Sequence, residues 1–131
     1  MFSNKDKYYL SVAIDNANEH EAGLSKGHNV AAILKVGDNL YHGYNQKKTH
    51  PLQKEFGNNE HCIYLHAEID CIRKAYRGDG YIAGSTLYVA RTLKNGIPAN
   101  ACPCEGCQEA IEHFNIGTVY FTTSNNYGIL K

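Results

Sequence analysis

Apolar side chains return at helical spacing in some stretches of the chain and crowd together in others, and the two patterns predict its elements. Leu10, Ala13, Ile14 and Ala17 recur every three or four residues, with Ser3 and Asp6 ahead of them as a capping pair. A first amphipathic helix is predicted there, ending before Gly23. Val30 to Val36 is almost unbroken apolar, as in a strand covered on both faces. Gly37-Asp38-Asn39 signals a turn, so Leu40 to Tyr44 is expected to come back as the second strand of a hairpin. Asn45 to Leu65 is polar, punctuated by Pro51 and Gly57, and reads as one long loop. Loops of that length inside a compact domain usually carry function or move.

Helical spacing resumes with Leu65, Ile69, Ile72 and Tyr76, a stripe expected to lie on the sheet. His66 opens this second helix and Gly78-Asp79-Gly80 ends it. Ser85 to Arg91, built on Leu87, Tyr88 and Val89, reads as a strand. A loop with Gly96 and Pro98 leads to Pro103, where a third helix begins with Cys107, Ala110, Ile111 and Phe114 on one face. Gly117 closes it, and Thr118 to Thr122 is the next strand, with Tyr120 expected in the core and Phe121 at the surface. Ser124 to Lys131 is left for a short strand or a cover over the site. Strands separated by single helices imply parallel pairing and right-handed crossovers. The expected fold class is α/β: a three-layer α-β-α sandwich whose mixed sheet of four to five strands starts as an antiparallel hairpin and continues in parallel. One domain is expected over residues 1–131.

Composition narrows the class. An apolar fraction of 43% and a charged fraction of 20% are those of a soluble globular protein. Thirteen basic and thirteen acidic side chains cancel, so no overall field draws the chain to a long nucleic acid, whereas a single nucleotide needs only a local patch. No apolar run of about 18 residues exists to span a membrane. Met1 to Lys7 is polar with no signal-peptide core behind it, so a cytoplasmic location is expected. Five cysteines is an odd number, and a C-x-x-C pair in a reducing compartment reads as metal or redox chemistry. Cys71 reads as a small buried hydrophobe. Cys102 is set aside as a ligand, because C-x-C converges poorly on one tetrahedral ion.

Two stretches carry the chemistry: His66-Ala67-Glu68, and Pro103-Cys104-Glu105-Gly106-Cys107 downstream. One imidazole and two thiolates are three ligands for zinc, with a fourth position open to water. Both segments fall where a loop gives way to a helix. Cys104 and Cys107 project from one turn, and the partial positive charge at a helix start favours thiolate. Pro103 suits the first turn, where its missing donor costs little. Glu68, two residues from the histidine, is expected beside that water without being a ligand. By itself C-x-x-C also fits a zinc knuckle or a redox pair. A redox pair gives His66-Ala67-Glu68 no task, and a closed structural site wants a fourth ligand.

H-x-E followed by P-C-x-x-C is a known signature of zinc deaminases that act on nucleobases. On those residues the chain resembles the cytidine deaminase-like superfamily and is most similar to its deoxycytidylate (dCMP) deaminase branch, with matching element order from about Tyr8 to Thr122. The resemblance implies hydrolytic deamination of a cytosine nucleotide, dCMP to dUMP with release of ammonia. His66, Cys104 and Cys107 would bind zinc, and zinc-bound hydroxide would attack the amino-bearing carbon. Glu68 would carry the proton from that water to the ring and then to the departing amine. Gly43-Tyr44-Asn45 matches the stretch that offers an asparagine to the sugar, so Asn45 is expected there. Backbone N–H groups near Ala67 and Cys104 are expected to position the oxygen or the leaving group. A homo-oligomer is also implied. The family commonly adds a fifth strand after a further helix, and this chain is too short for both.

Several substrate readings stay open. The loop with Lys47, Lys48, His50 and Lys54 is either a phosphate clamp or a solvated polar stretch. Tyr127 is the candidate to stack on the base. Arg73 and Arg77 are expected to face solvent, and His50, His61 and Cys62 to be loop residues rather than a second zinc site. A free nucleoside or base (cytidine, deoxycytidine, adenosine, guanine) remains an alternative substrate. Single-stranded nucleic acid is disfavoured by the zero net charge. A non-catalytic zinc-binding interaction module is the rival from another class.

Overall fold

An apolar run such as Ala31-Ala32-Ile33-Leu34 is stable as a strand only with both faces and both edges covered. The computed structural model, which describes residues 3–19, 29–46, 51–56, 65–93 and 95–130, covers all of them. Its elements in order are α1 (Asn4–Glu19), β1 (Asn29–Val36), β2 (Asn39–Tyr44), α2 (Pro51–Phe56), α3 (Ala67–Asp79), β3 (Thr86–Thr92), β4 (Pro98–Ala99), α4 (Glu105–His113), β5 (Thr118–Thr122) and β6 (Tyr127–Leu130). The strands form one sheet in the order β2-β1-β3-β5-β6, with β4 beside β3. Leu10 and Ala13 of α1 pack on Ile33, Tyr88 and Ala90 on one face. On the other, Ile69, Ile72, Ala110 and Ile111 of α3 and α4 share a core with Leu34 and Val89. The chain is an α-β-α sandwich, as its pattern predicts.

The sheet departs from the expected pairing in one respect. Helix α3 carries the chain over β1, so β3 does not join β2; it takes the other edge of β1, antiparallel to it. That leaves the most apolar strand, β1, in the interior of the sheet, paired along both edges by β2 and β3. Parallel pairing appears only between β3 and β5. The tail forms β6, antiparallel to β5 after a short turn. A sixth strand, the two-residue β4, arises inside the stretch read as a loop with Gly96 and Pro98.

Three local expectations are corrected. The segment from Asn45 to Leu65 is not one loop, because α2 forms within it. Pro51, read as punctuation, occupies the first helical position, where a missing N–H is tolerated. Phe121 is buried rather than exposed. Strand β5 is covered on both faces, so Val119 and Phe121 turn to the α3–α4 layer while Tyr120 stacks on Tyr88. Tyr76 is 55% exposed, since the last turn of α3 meets Phe114 edge-on instead of the sheet. Among the described residues no helix is long and apolar enough to cross a membrane.

The start of α1 is capped as its sequence implies. The Ser3 hydroxyl accepts the Asp6 N–H at 3.1 Å, and the Asp6 carboxylate accepts the Ser3 N–H at 3.2 Å. Burial would raise the Asp6 carboxyl, but hydrogen bonds from the Tyr88 hydroxyl, at 2.6 Å, and from Ser3 outweigh it and hold the pKa below the usual range. Such a group stabilises the fold fully above its unfolded pKa and loses that contribution as pH falls through the folded value. Tyr88→Phe is therefore expected to cost about 1–2 kcal/mol at pH 7. The gap should narrow at an acidic pH below the lowered folded value of Asp6, where the carboxyl is protonated in both states. Denaturant melts at the two pH values check this, and an unchanged gap would contradict it.

Candidate active site

Helices α3 and α4 begin at the residues singled out by the sequence. His66 is the N-cap of α3 and Cys104 the N-cap of α4, both with extended backbone and neither making a side-chain cap hydrogen bond. Glu68 lies in the first turn of α3, where the positive helix end favours a carboxylate. The junction before α4 is fixed by the Gln108 amide, which donates to the Pro103 carbonyl at 2.8 Å. The junction before α3 is fixed by Gln46, whose N–H donates to the carbonyl of Leu65 at 2.9 Å. Gly43 lets β2 press against the head of α3. A Cβ there would collide with the Ala67 carbonyl and come within 2.6 Å of the Cys71 nitrogen.

These junctions bring three soft donors together. His66 Nδ1 lies 3.3 Å from Cys107 Sγ and 3.6 Å from Cys104 Sγ, and all three donor atoms fall within 4.8 Å of one another. Ligands at ordinary zinc distances on a tetrahedron stand about 3.6 Å apart for a nitrogen–sulfur edge. The set fits a zinc ion, with Nδ1 as the ligand nitrogen. Among the described residues no other group of histidine, cysteine and carboxylate side chains is so placed. The hydrogen bond with Cys107, working against burial and joined by His66, brings the Cys104 thiol down to about 3. Glu68 is buried beside the ligands; burial raises its carboxyl pKa, opposed by His66 and by a hydrogen bond with the Cys107 side chain.

The other expected residues fall as follows. Ala67 is buried at the head of α3. Asn45 is buried, accepts the Val30 N–H on its Oδ1 at 3.0 Å, and is the chain neighbour of Gln46, so it stands next to the His66 junction. Tyr127 lies opposite Thr122 and lines a cavity of about 280 Å3 with Ile14 and Pro98. That cavity is on the α1 side of the sheet, and the donor group is on the other. Cys102 is exposed and outside the donor group, while Cys71 is buried with its thiol on the Tyr41 carbonyl. Lys47, Lys48, His50, His61, Cys62 and the Lys54 side chain lie outside the described residues.

One residue with a place here was not found from sequence. Asp70 is fully buried, and Arg73, expected to face solvent, pairs with it at 2.6 Å. The spacing of Asp70 to Arg73 and Lys74, three and four residues on, was the available signal.

Residues 3–123 match the family model of the cytidine and deoxycytidylate deaminase zinc-binding region. No functionally curated protein matches the chain. Among solved structures it is similar to the dCMP deaminase of the cyanophage S-TIM5 in apo form, at 21% identity over 92% of this chain and 84% of that one, with a TM-score of 0.63. The same phage enzyme has been solved in complex with dCMP and dUMP. A cytidine deaminase from Burkholderia pseudomallei aligns at 17% identity over 99% of this chain and 93% of that one, with a TM-score of 0.69. At those identities the structural likenesses speak for the fold. The family match, together with a donor set that fits zinc, makes the chain a member of the cytidine and deoxycytidylate deaminase family, an enzyme acting on a nucleotide or nucleoside.

Proposed function

We propose that the protein hydrolyses the amino group of a cytosine nucleotide, converting dCMP to dUMP and ammonia, through one domain spanning residues 1–131. The observation that carries this reading is the convergence of His66 Nδ1, Cys104 and Cys107 within 4.8 Å, with Glu68 buried beside them. His66, Cys104 and Cys107 would hold the zinc. The chemistry a zinc ion supplies in such a set is to acidify water toward a pKa of about 7.

The remaining work falls to the chain. Glu68 takes one proton from the attacking water as the oxygen bonds to C4, and delivers it to N3. The second proton passes by the same carboxylate to the exocyclic nitrogen, the C4–N4 bond breaks, and ammonia leaves with the new carbonyl in place. A carboxyl raised by burial suits a group that must both accept and release protons near neutrality. The backbone N–H groups at Ala67 and Cys104, at the heads of two helices, would orient the reacting oxygen and the amine. Asn45, with its oxygen turned to Val30, meets the sugar as a donor. The phosphate is assigned to the loop that carries Lys48 and His50. As a family member the chain is further expected to act as a homo-oligomer.

Comparison of dCMP with deoxycytidine tests the finer claim. The expected result is a kcat/KM for dCMP at least about 100-fold higher, the worth of charge-assisted hydrogen bonds to a phosphate. Equal values would remove the phosphate from recognition and reduce that loop to a cover.

A further inference from the structure

The mechanism above has no task for Asp70, although its surroundings are the most heavily bonded of any carboxylate near the site. Asp70 is fully buried one turn beyond His66, whose carbonyl accepts the Asp70 N–H at 2.9 Å. Its Oδ1 takes the Arg73 guanidinium at 2.8 and 2.6 Å. Its Oδ2 takes the Tyr44 N–H at 3.0 Å, the Gln46 side-chain amide at 3.0 Å and the Lys74 ammonium at 3.1 Å. Tyr44 and Gln46 are the two chain neighbours of Asn45. The carboxylate therefore grips the strand end on both sides of Asn45 and binds it to the helix that carries His66 and Glu68.

Two further contacts make the geometry specific. Lys74, held by Asp70, also donates to the His42 carbonyl at 2.8 Å, so the clamp extends along β2. Gly43 allows the backbones of β2 and α3 to meet without a side chain between them. A buried carboxylate with two cationic partners adds little stability over apolar packing, so the weight of these contacts lies in the geometry they fix.

We propose that Asp70 is a positioning residue for substrate recognition: it fixes Asn45 at the distance from the catalytic helix that a sugar-bearing ligand requires. The inference rests on the reading in which Asn45 meets the sugar of a cytosine nucleotide. Asp70 itself touches no substrate, and its effect passes through Asn45.

Asp70→Asn preserves shape and removes the charge, and its amide sets an NH2 against donors in either orientation. The expected result is a KM for dCMP raised about tenfold with kcat held within about twofold, the pattern of a lost binding contact. In an Asn45→Ala background the same substitution should leave KM unchanged, because the group it positions is gone. Additive effects in the double variant, or an equal fall in kcat with loss of zinc, would overturn the inference and leave Asp70 a general structural residue. If Asp70→Asn does not fold, Gln46→Ala removes one arm of the clamp and takes the same test. A parent protein that deaminates no sugar-bearing cytosine would instead overturn the functional reading, and this inference with it.

Discussion

Glu68→Ala is expected to abolish measurable deamination, a fall of at least about 10²–10⁴-fold, while zinc content stays at the parent level. Glu68 is not one of the three converging donors, so its removal leaves the ion's ligands intact. Glu68 is buried beside them, and in the proposed mechanism both proton transfers pass through it. Truncation also relieves a charge that burial disfavours, so the variant should melt at or above the parent temperature. Metal analysis, thermal melts and ammonia release on the same preparations check all three statements. A variant that kept parent activity would remove Glu68 from the mechanism, and with it the reason for preferring an enzyme to a zinc-holding interaction module.

Cys107→Ala should have the other large effect, on the metal and the fold together. Cys107 is fully buried, 3.3 Å from His66 Nδ1 and in contact with Glu68, so it links the heads of α3 and α4. Changes beyond the first ligands of a metal typically cost 10–100-fold in affinity, so loss of a ligand should exceed about 100-fold. A bound ion stabilises the folded state by mass action. A chelator should accordingly lower the melting temperature of the parent and leave that of Cys107→Ala unchanged. The apolar core beneath the site involves residues of three strands and two helices, so the chelated parent should still unfold cooperatively. A variant that bound zinc as tightly as the parent would move the ion to another set of donors.

What the sequence made legible was whatever depends on short range. The capping pair Ser3 and Asp6, the turn at Gly37 and the start of α3 at His66 are each set by a few adjacent residues and are found where the pattern places them. Helix α4 instead begins at Glu105, with Pro103 ahead of its N-cap Cys104 rather than in its first turn. The zinc donors were legible because H-x-E and P-C-x-x-C are chemically narrow. Which imidazole nitrogen faces the sulfurs was not, since that depends on how two helices meet. Long-range features were harder to read. Burial of Phe121 depends on β5 having both faces covered, and a single strand cannot reveal its neighbours. The place of β3 beside β1 rather than β2 depends on where α3 carries the chain, which no single strand reveals. Asp70 was passed over because Tyr44 and Gln46, at and just beyond the end of β2, lie more than twenty residues away, and its local pair with Arg73 resembles an ordinary exposed ion pair.

The most direct test of the whole account is to follow dCMP with the zinc-loaded protein, measuring ammonia and identifying the nucleotide product. The account predicts dUMP and ammonia in equal amounts, at a rate lost on chelation and restored by zinc. No ammonia from dCMP, deoxycytidine or cytidine by zinc-replete, folded protein would contradict it.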